Sequence, residues 1–390
     1  MNVNDALVVG YGHTKFGKLS GTSSEQLVVD AASQAIARAG VEPNDIDAIY
    51  VGNFNSGMQP FSSPSSLPLQ LSGDLRGVPA TRVENACASG SAAVHQGVLT
   101  LLSGIARTVL VVGVEKMTDV TGAAAGAALL GADYDTAGTA APAGFAGLFA
   151  NVAVEYEQRY GPVGDTLAEI AAKSHQNALR NPLAHLHKNY DRAFCATVSE
   201  ANPIVAGPLR RTDCSPVSDG AAALVLSTQR SADASVPPVR FRGIAHANDF
   251  LPSAKRDPLE FYGSQQAWHR AMQMAEATLD DLSVIELHDC FTIAELNLYE
   301  VLGLAPRGRG REVLHDGTVA RDGKLPVNPS GGLKSKGHPV GATGVSQHVL
   351  AAMQLTGAAG HMQVDGASLA AVHNMGGLAI ANYVSILESV

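Results

Sequence analysis

The 390-residue chain is 46% apolar and 16% charged, with a formal net charge of −9. At roughly 100–200 residues per domain it holds two or three domains with ample buried core, and its composition excludes a disordered chain or a coiled coil. The acidic balance excludes a nucleic-acid binder, which needs a basic face to displace counterions; a phosphate-bearing ligand must be held by a local cluster or by backbone N–H groups.

Strand and helix patterns alternate from the start, which predicts an α/β fold with a largely buried sheet. ALVVG (6–10) is a short strand. The helix after it has Thr22 and Glu25 spaced as a capping box, apolar Leu27, Val28, Ala31, Ala32, Ala35 and Ile36 on one face, and Gly40 and Pro43 as stop signals. DAIYVGNF (47–54) is the next strand, TRVENAC (81–87) leads into a helix over 89–104, and TVLVVGVE (108–115) is a strand buried on both faces. The stretch 116–216 is too long for a loop; its early part is Gly/Ala-rich and 165–179 reads as a helix, so it is expected to be an inserted loop or lid domain. AAALVLST (221–228) closes this set, and SADASVPP (231–238) is the natural linker.

From residue 239 the order repeats. VRFRGIA is a strand, 263–282 a helix, VIELHDC (284–290) a strand, 292–303 a helix. A Gly/Pro-rich loop, a helix over 342–357 and the strands ASLAAVH and LAIANYVSIL complete the chain. The repeated order predicts two similar halves. The expected divisions are 1–117 and 201–236 for the N-terminal half, 118–200 for the insertion, and 237–390 for the C-terminal half.

Four cysteines are no disulfide framework, and none forms a Cys-x-x-Cys zinc pair; free thiols in a reducing compartment are expected. MNVNDALVVG carries an Asp and no basic flank, unlike a signal peptide, and the C-terminal LESV is neither a peroxisomal nor a reticulum address. A cytoplasmic protein is expected. The charge-free stretches 136–154 and 366–387 have the length to span a bilayer. The first contains Pro142 and is mostly Ala, Gly and Thr; the second holds His373, Asn374, Asn382 and a Gly pair. Neither reads as a membrane helix.

GYGHTKFG (10–17) resembles a dinucleotide turn, but Lys15 stands where the third Gly of G-x-G-x-x-G belongs. His185-x-His187 could pair on a metal, yet nothing nearby completes the set. Four other segments carry chemistry. Cys87, in VENACASGSAAV, ends an apolar run just before a helix, where the positive end of the dipole favours thiolate and small neighbours leave the sulfur accessible; a buried structural cysteine is the alternative. His288, Asp289 and Cys290 come together at a strand end, where ligands bind in α/β folds, or else form a turn with Thr292 as helix cap. In NPSGGLKSKGHPVGATG (328–344) five glycines surround His338, a loop that lets backbone approach a ligand closely while presenting one imidazole. In AVHNMGG (371–377), His373 and Asn374 leave a buried strand at a Gly turn; a satisfied core histidine is the competing role.

Together these motifs resemble the thiolase superfamily along essentially the whole chain. The string around His338 is similar to the family's G-H-P-x-G-[AS]-[ST]-G signature, and Cys87-Ala88-Ser89 to its Cys-x-Ser nucleophile motif. His288-Asp289-Cys290-Phe291 stands where common members show Asn-Glu-Ala-Phe, and His373-Asn374-Met375-Gly376 where they show Cys-x-Gly. Both departures resemble the sterol-carrier-protein type branch, as do EKMTD (115–119), NALRNP (177–182) and DCSPVSDGAAA (213–223).

The resemblance implies a five-layered αβαβα thiolase fold from two similar halves with an inserted loop domain, working as a homodimer or a tetramer of dimers. It implies acyl-CoA and CoA as substrates, with no metal or prosthetic group. It further implies Cys87 as nucleophile, His338 as its proton partner and Cys290 as the acid and base on the acetyl carbon. His288 with His338 would bind the thioester enolate, the N–H of Cys87 with one near Gly376 would bind the oxyanion on Cys87, and His373 would orient a neighbour. The CoA phosphates fall to Lys and Arg of the insertion, with no single residue marked. Three rivals share parts of this pattern. A 3-oxoacyl synthase and a retro-aldol lyase have little use for a second thiol, and a non-catalytic acyl-CoA-binding subunit needs neither Cys87 nor Cys290.

Overall fold

The computed structural model describes residues 2–139, 141 and 143–390; Pro142, noted above, lies outside them. The first half comprises β1 (Leu7–His13), α1 (Ser24–Ala39), β2 (Ala48–Gly52), β3 (Ala80–Val83), α2 (Ser89–Leu102) and β4 (Thr108–Glu115). The inserted segment folds as α3 (Gly122–Leu130), α4 (Gly144–Tyr160), α5 (Gly164–Ala178) and α6 (Arg192–Ala196). A ribbon of β5 (Ile204–Ala206) and β6 (Leu209–Arg210) follows, and β7 (Gly220–Ser227) closes the half. The second half runs β8 (Val239–Asn248), α7 (Tyr262–Ala275), β9 (Val284–Glu286), α8 (Thr292–Val301), α9 (Glu312–His315), α10 (Val340–Leu355), β10 (Leu369–Gly376) and β11 (Ala381–Ser389).

Among the described residues the large sheet has the order β3-β2-β4-β7-β1-β8-β11-β10-β9. β1 and β8 meet through Leu7–Arg240 and Val8–Val239, a narrow seam between two sheets. Each half pairs its strands in parallel away from the seam and antiparallel toward it. Val327 bridges Ile285 in the place that β3 takes beside β2. α1 packs outside the first sheet, α7 outside the second, and α2 and α10 lie together between them. This is the five-layered αβαβα arrangement of two similar halves.

β4 shows why the central strands read as unbroken apolar runs. Leu110, Val112 and Val114 pack under α1, while Val109 and Val111 face the layer of α2 and α10. A strand covered on both faces needs no polar alternation. α1 begins one residue later than the capping-box spacing predicts: Ser23, not Thr22, accepts from the N–H of Gln26, and Gly40 ends the helix at φ +61°. Gly10 and Gly12 have a packing role rather than a nucleotide role, since a Cβ on them would lie 2.2 Å and 2.0 Å from the carbonyl oxygens of Ala35 and Ala31. Among the described residues no helix is long and apolar enough to cross a membrane.

Candidate active site

Two helix N-termini are pressed together at the centre of the molecule. A Cβ on Gly344 would lie 2.1 Å from the backbone nitrogen of Ser91, and one on Gly90 would lie 2.8 Å from the carbonyl oxygen of Gly341. Gly341 and Gly344 after His338 therefore serve backbone-to-backbone packing, Gly341 against Gly52, Asn53 and Val114 and Gly344 against Ser91 of α2, not the close ligand approach expected of them. Their effect is to bring the residues just before α2 and α10, Cys87 and His338, side by side.

Cys87 sits on a strained turn. Ala86 before it is left-handed at φ +50°, a conformation that costs a non-Gly residue about 1–3 kcal/mol unless its surroundings hold it. Ser89 supplies the hold: its Oγ accepts from the N–H of Asn85 at 2.9 Å and donates to the carbonyl of Ala86 at 2.6 Å. The serine of the Cys-x-Ser motif is thus a brace. Against expectation, the thiol is not poised as thiolate. Burial pushes it up to about 12, and Glu115 adds to the rise against the backbone N–H groups of Gly377 and Cys87; desolvation outweighs the helix dipole.

Cys87 Sγ and a ring nitrogen from each of His288 and His338 lie within 4.8 Å of one another, the two imidazoles at right angles. The hydrogen-bond network assigns their tautomers. Thr343 Oγ1 donates to the carbonyl of Pro339 at 2.9 Å, so at 2.6 Å from His338 Nδ1 it must accept. His338 carries its proton on Nδ1 and keeps a lone pair on Nε2. His288 is the reverse. Asn374 Nδ2 donates to His288 Nδ1 at 2.8 Å and to the carbonyl of Cys87 at 3.2 Å, leaving the His288 proton on Nε2, which is buried without a partner among the described residues. Both rings are held neutral: burial first and the Lys336 ammonium next bring His338 down to about 3, and burial followed by His338 lowers His288.

Cys290 completes the site. β9 ends at Glu286, so His288, Asp289 and Cys290 stand in the connection to α8 rather than on the strand predicted over 284–290. Thr292 is no cap; its Oγ1 donates to Asp213 at 3.0 Å. Cys290, Cys87 and His338 line a cavity of about 310 Å³ with Met117, Phe291 and a third thiol, Cys214. Burial, then the neighbouring Cys87, raise the Cys290 thiol well above its ordinary range. Asp289 turns away to accept from the N–H groups of Leu333 and Lys334, and it anchors the lysine-bearing loop.

One expected site residue, His373, faces away from the thiols. Neighbouring strand residues face opposite ways, and on β10 it is Asn374 that reaches His288 and Cys87. His373 faces the other side, its Nε2 3.0 Å from Ser264 Oγ. The N–H near Gly376 that bears on the Cys87 thiol is that of Gly377; Gly376 itself sits against Asn85, whose carbonyl oxygen would lie 2.2 Å from a Cβ there.

Asn374 and Thr343 carried no assigned role in the sequence, although Thr343 stands at the [ST] position of the signature around His338. EKMTD and DCSPVSDG line the cavity through Met117 and Cys214 and brace it through their charged residues. Lys116 Nζ is 2.8 Å from Asp219, which also accepts from the N–H of Met117 and Thr118. Glu115 accepts from the N–H groups of Phe54, Asn55 and Gly341. His185 and His187 bond apart, to Ser218 and to the carbonyl of Asn181.

Both halves of the chain match known protein families. The family model "Thiolase, N-terminal domain" matches residues 6–190, and "Thiolase C-terminal domain-like" matches 245–389. An acetyl-CoA acetyltransferase from Methanothermobacter thermautotrophicus is 37% identical over 379 residues, covering 96% of this chain and 97% of that one. Sterol carrier protein 2 of Homo sapiens is 32% identical, covering 95% of this chain and 69% of its own. Among solved structures, the Ltp2-ChsH2(DUF35) aldolase superposes with a TM-score of 0.81 at 23% identity, covering 99% of this chain and 98% of that one.

Proposed function

The chain belongs to the thiolase family and is an acyltransferase of that kind; within this activity we propose the following division of labour. The supporting observation is the pairing of two buried thiols, Cys87 and Cys290, with one imidazole that accepts and one that donates. In thiolysis Cys87 Sγ attacks C3 of a 3-oxoacyl-CoA while its proton passes to His338 Nε2. The N–H groups of Cys87 and Gly377 bind the resulting oxyanion. Collapse breaks the C2–C3 bond, leaving the acyl group on Cys87 and the enolate of acetyl-CoA. His288 Nε2–H binds the enolate oxygen, and Cys290 protonates C2.

In the second half-reaction Cys290 thiolate takes the proton of an incoming CoA thiol, whose sulfur attacks the acyl carbon. Cys87 leaves and recovers its proton from His338. The reverse sequence is a Claisen condensation with Cys290 as the base on acetyl-CoA. No metal or prosthetic group enters the sequence; acyl-CoA and CoA are the reactants. Neutral starting forms suit it, because each thiol meets its proton acceptor only as bonds to substrate form. Retro-aldol and carrier-protein condensing readings would leave Cys290 without a task. Self-association through the open edge of β3 is the oligomer we expect, to be read from light scattering.

The test is intact-protein and peptide mass spectrometry after incubation with acetyl-CoA or acetoacetyl-CoA. One acetyl group on Cys87, absent in Cys87→Ala, is the expected outcome. An adduct on another residue, or none with either thioester, would overturn the assignment.

A further inference from the structure

The reaction cavity does not end at the catalytic groups. Gly122 and Gly126, one turn apart on α3, line it on one side together with Ala143 and Gly144 at the start of α4. The same four residues line a second cavity of about 570 Å³ that also touches Leu130 and Thr139. The two spaces are therefore neighbours across a boundary that lacks side chains where it matters. Among the described residues a Cβ on Gly122 or Gly126 would meet nothing within 4 Å, so the glycines here open space, unlike Gly90 and Gly344, whose Cβ positions are already filled.

The chemistry of the second cavity narrows what enters it. No charged side chain lines it, and Thr139 is the one polar side chain there among the described residues. The pantetheine arm of CoA carries two amides and ends in phosphates, which would lose water in such a space without gaining partners. An alkyl chain loses nothing. At roughly 30 Å³ per methylene-sized group, by comparison with the volume of a water molecule, the first cavity is largely taken up by a short acyl group and the end of pantetheine. The second has no occupant in the reaction of a four-carbon substrate.

We propose that the second cavity receives the alkyl chain of medium-chain 3-oxoacyl-CoA substrates, and that Gly126 is the residue setting the length admitted. The inference rests on the thiolase reading and specifies its substrate class. Gly126 lies inside α3 with ordinary helical backbone and open space beside it, so a side chain there adds helix propensity and blocks the passage without distorting the turn.

The experiment compares kcat/KM for CoA-dependent cleavage of 3-oxobutanoyl-, 3-oxooctanoyl- and 3-oxododecanoyl-CoA by wild type, Gly126→Ala and Gly126→Leu. Each methylene removed from water is worth roughly fourfold, so wild type should favour 3-oxooctanoyl- over 3-oxobutanoyl-CoA by at least about tenfold. Gly126→Leu should reduce that ratio by at least about tenfold, with Gly126→Ala between. Wild type that prefers the four-carbon substrate overturns the inference and leaves the thiolase reading standing. An unchanged ratio in Gly126→Leu overturns the role of Gly126. Absence of cleavage at every length, with no adduct on Cys87, overturns the thiolase reading and this inference with it.

Discussion

Asn374 spends one amide hydrogen on His288 Nδ1 and the other on the carbonyl of Cys87, so one side chain fixes both an imidazole tautomer and the seat of the nucleophile. Asn374→Asp removes the donor and asks Nδ1 to carry the proton instead, stripping Nε2 of the hydrogen meant for the enolate. Losing one oxyanion donor costs about 3–4 kcal/mol in the transition state, so kcat for 3-oxoacyl-CoA cleavage should fall about 10²–10³-fold. If Asn374 acts through His288, the double variant His288→Ala/Asn374→Asp should be little worse than His288→Ala alone. Additive losses would separate the two residues.

Thr343 has the matching task for His338. Thr343→Val preserves shape but leaves the Nδ1–H of a buried ring unpaired, a cost of about 1–3 kcal/mol that frees the ring to rotate or to change tautomer. Turnover should drop about tenfold or more, and Thr343→Ser should restore most of it. Equal damage from Ser and Val would mean that the methyl group, not the hydroxyl, matters.

The protonation states give a pH signature. Cys87 is pushed up to about 12 by burial, with Glu115 adding to the rise, and His338 is brought down to about 3 by burial and then Lys336. Neither group titrates in the neutral range, so the free enzyme holds a thiol beside a neutral imidazole. Alkylation of Cys87 by iodoacetamide, followed by peptide mapping, should accelerate about tenfold per pH unit from about pH 6 to pH 10 without a plateau. A plateau below about pH 8 would reveal a thiolate–imidazolium pair instead.

Glu115 links the nucleophile's neighbourhood to the His338 loop by accepting from three backbone N–H groups and from Asn53. Burial nevertheless pushes its carboxyl up to about 7, against the lowering effect of those N–H groups. The folded state then binds this proton more tightly than the unfolded chain does, so stability on its account is full at low pH and declines as pH rises toward 7. The slope is at most about 1.4 kcal/mol per pH unit, and it ends above the folded-state value. Glu115→Gln turns an NH₂ toward donors, which should cost about 1–3 kcal/mol and abolish that decline. Denaturant unfolding of both proteins across pH 5–8 checks it; parallel curves would remove Glu115 as the titrating group.

The fold was legible because its central elements obey one rule each. TVLVVGVE could only be a strand covered on both faces, and the apolar face of α1 with its Gly40 stop could only be a surface helix. Cys87, His338, His288 and Cys290 were legible as reactive types among small residues at element ends. Legibility failed where a local cue met a tertiary term. The helix dipole at Cys87 favours thiolate, but desolvation inside a five-layered molecule is larger, and burial cannot be weighed from eight neighbouring residues. Gly341 and Gly344 announced close approach without saying to what, and the answer is backbone: the ends of β2 and β4 for Gly341, and α2 for Gly344. His373 and Asn374 are adjacent and equally polar, so choosing between them required the phase of β10, which its Gly turn left undefined in the sequence.

Cys290 offers the sharpest separation of roles. It raises no obstacle to acylation of Cys87 by acetyl-CoA, which forms and breaks only thioester bonds, so Cys290→Ala should still accept one acetyl group by mass spectrometry. Cleavage and formation of the carbon–carbon bond need a proton moved at C2, and loss of that acid and base should cost about 10²–10⁴-fold. Incubation of acetyl-CoA with the enzyme in D₂O isolates the step, because the base that starts condensation also exchanges the acetyl hydrogens. Wild type should wash deuterium into acetyl-CoA and Cys290→Ala should not; Cys87→Ala should not either, because without acylation no departing CoA takes the proton that keeps Cys290 a thiol, and His288→Ala should exchange slowly for want of an enolate donor. Exchange kept in Cys290→Ala would remove Cys290 as the base on the acetyl carbon, and an acetyl group missing from Cys87 in that variant would invert the two thiols.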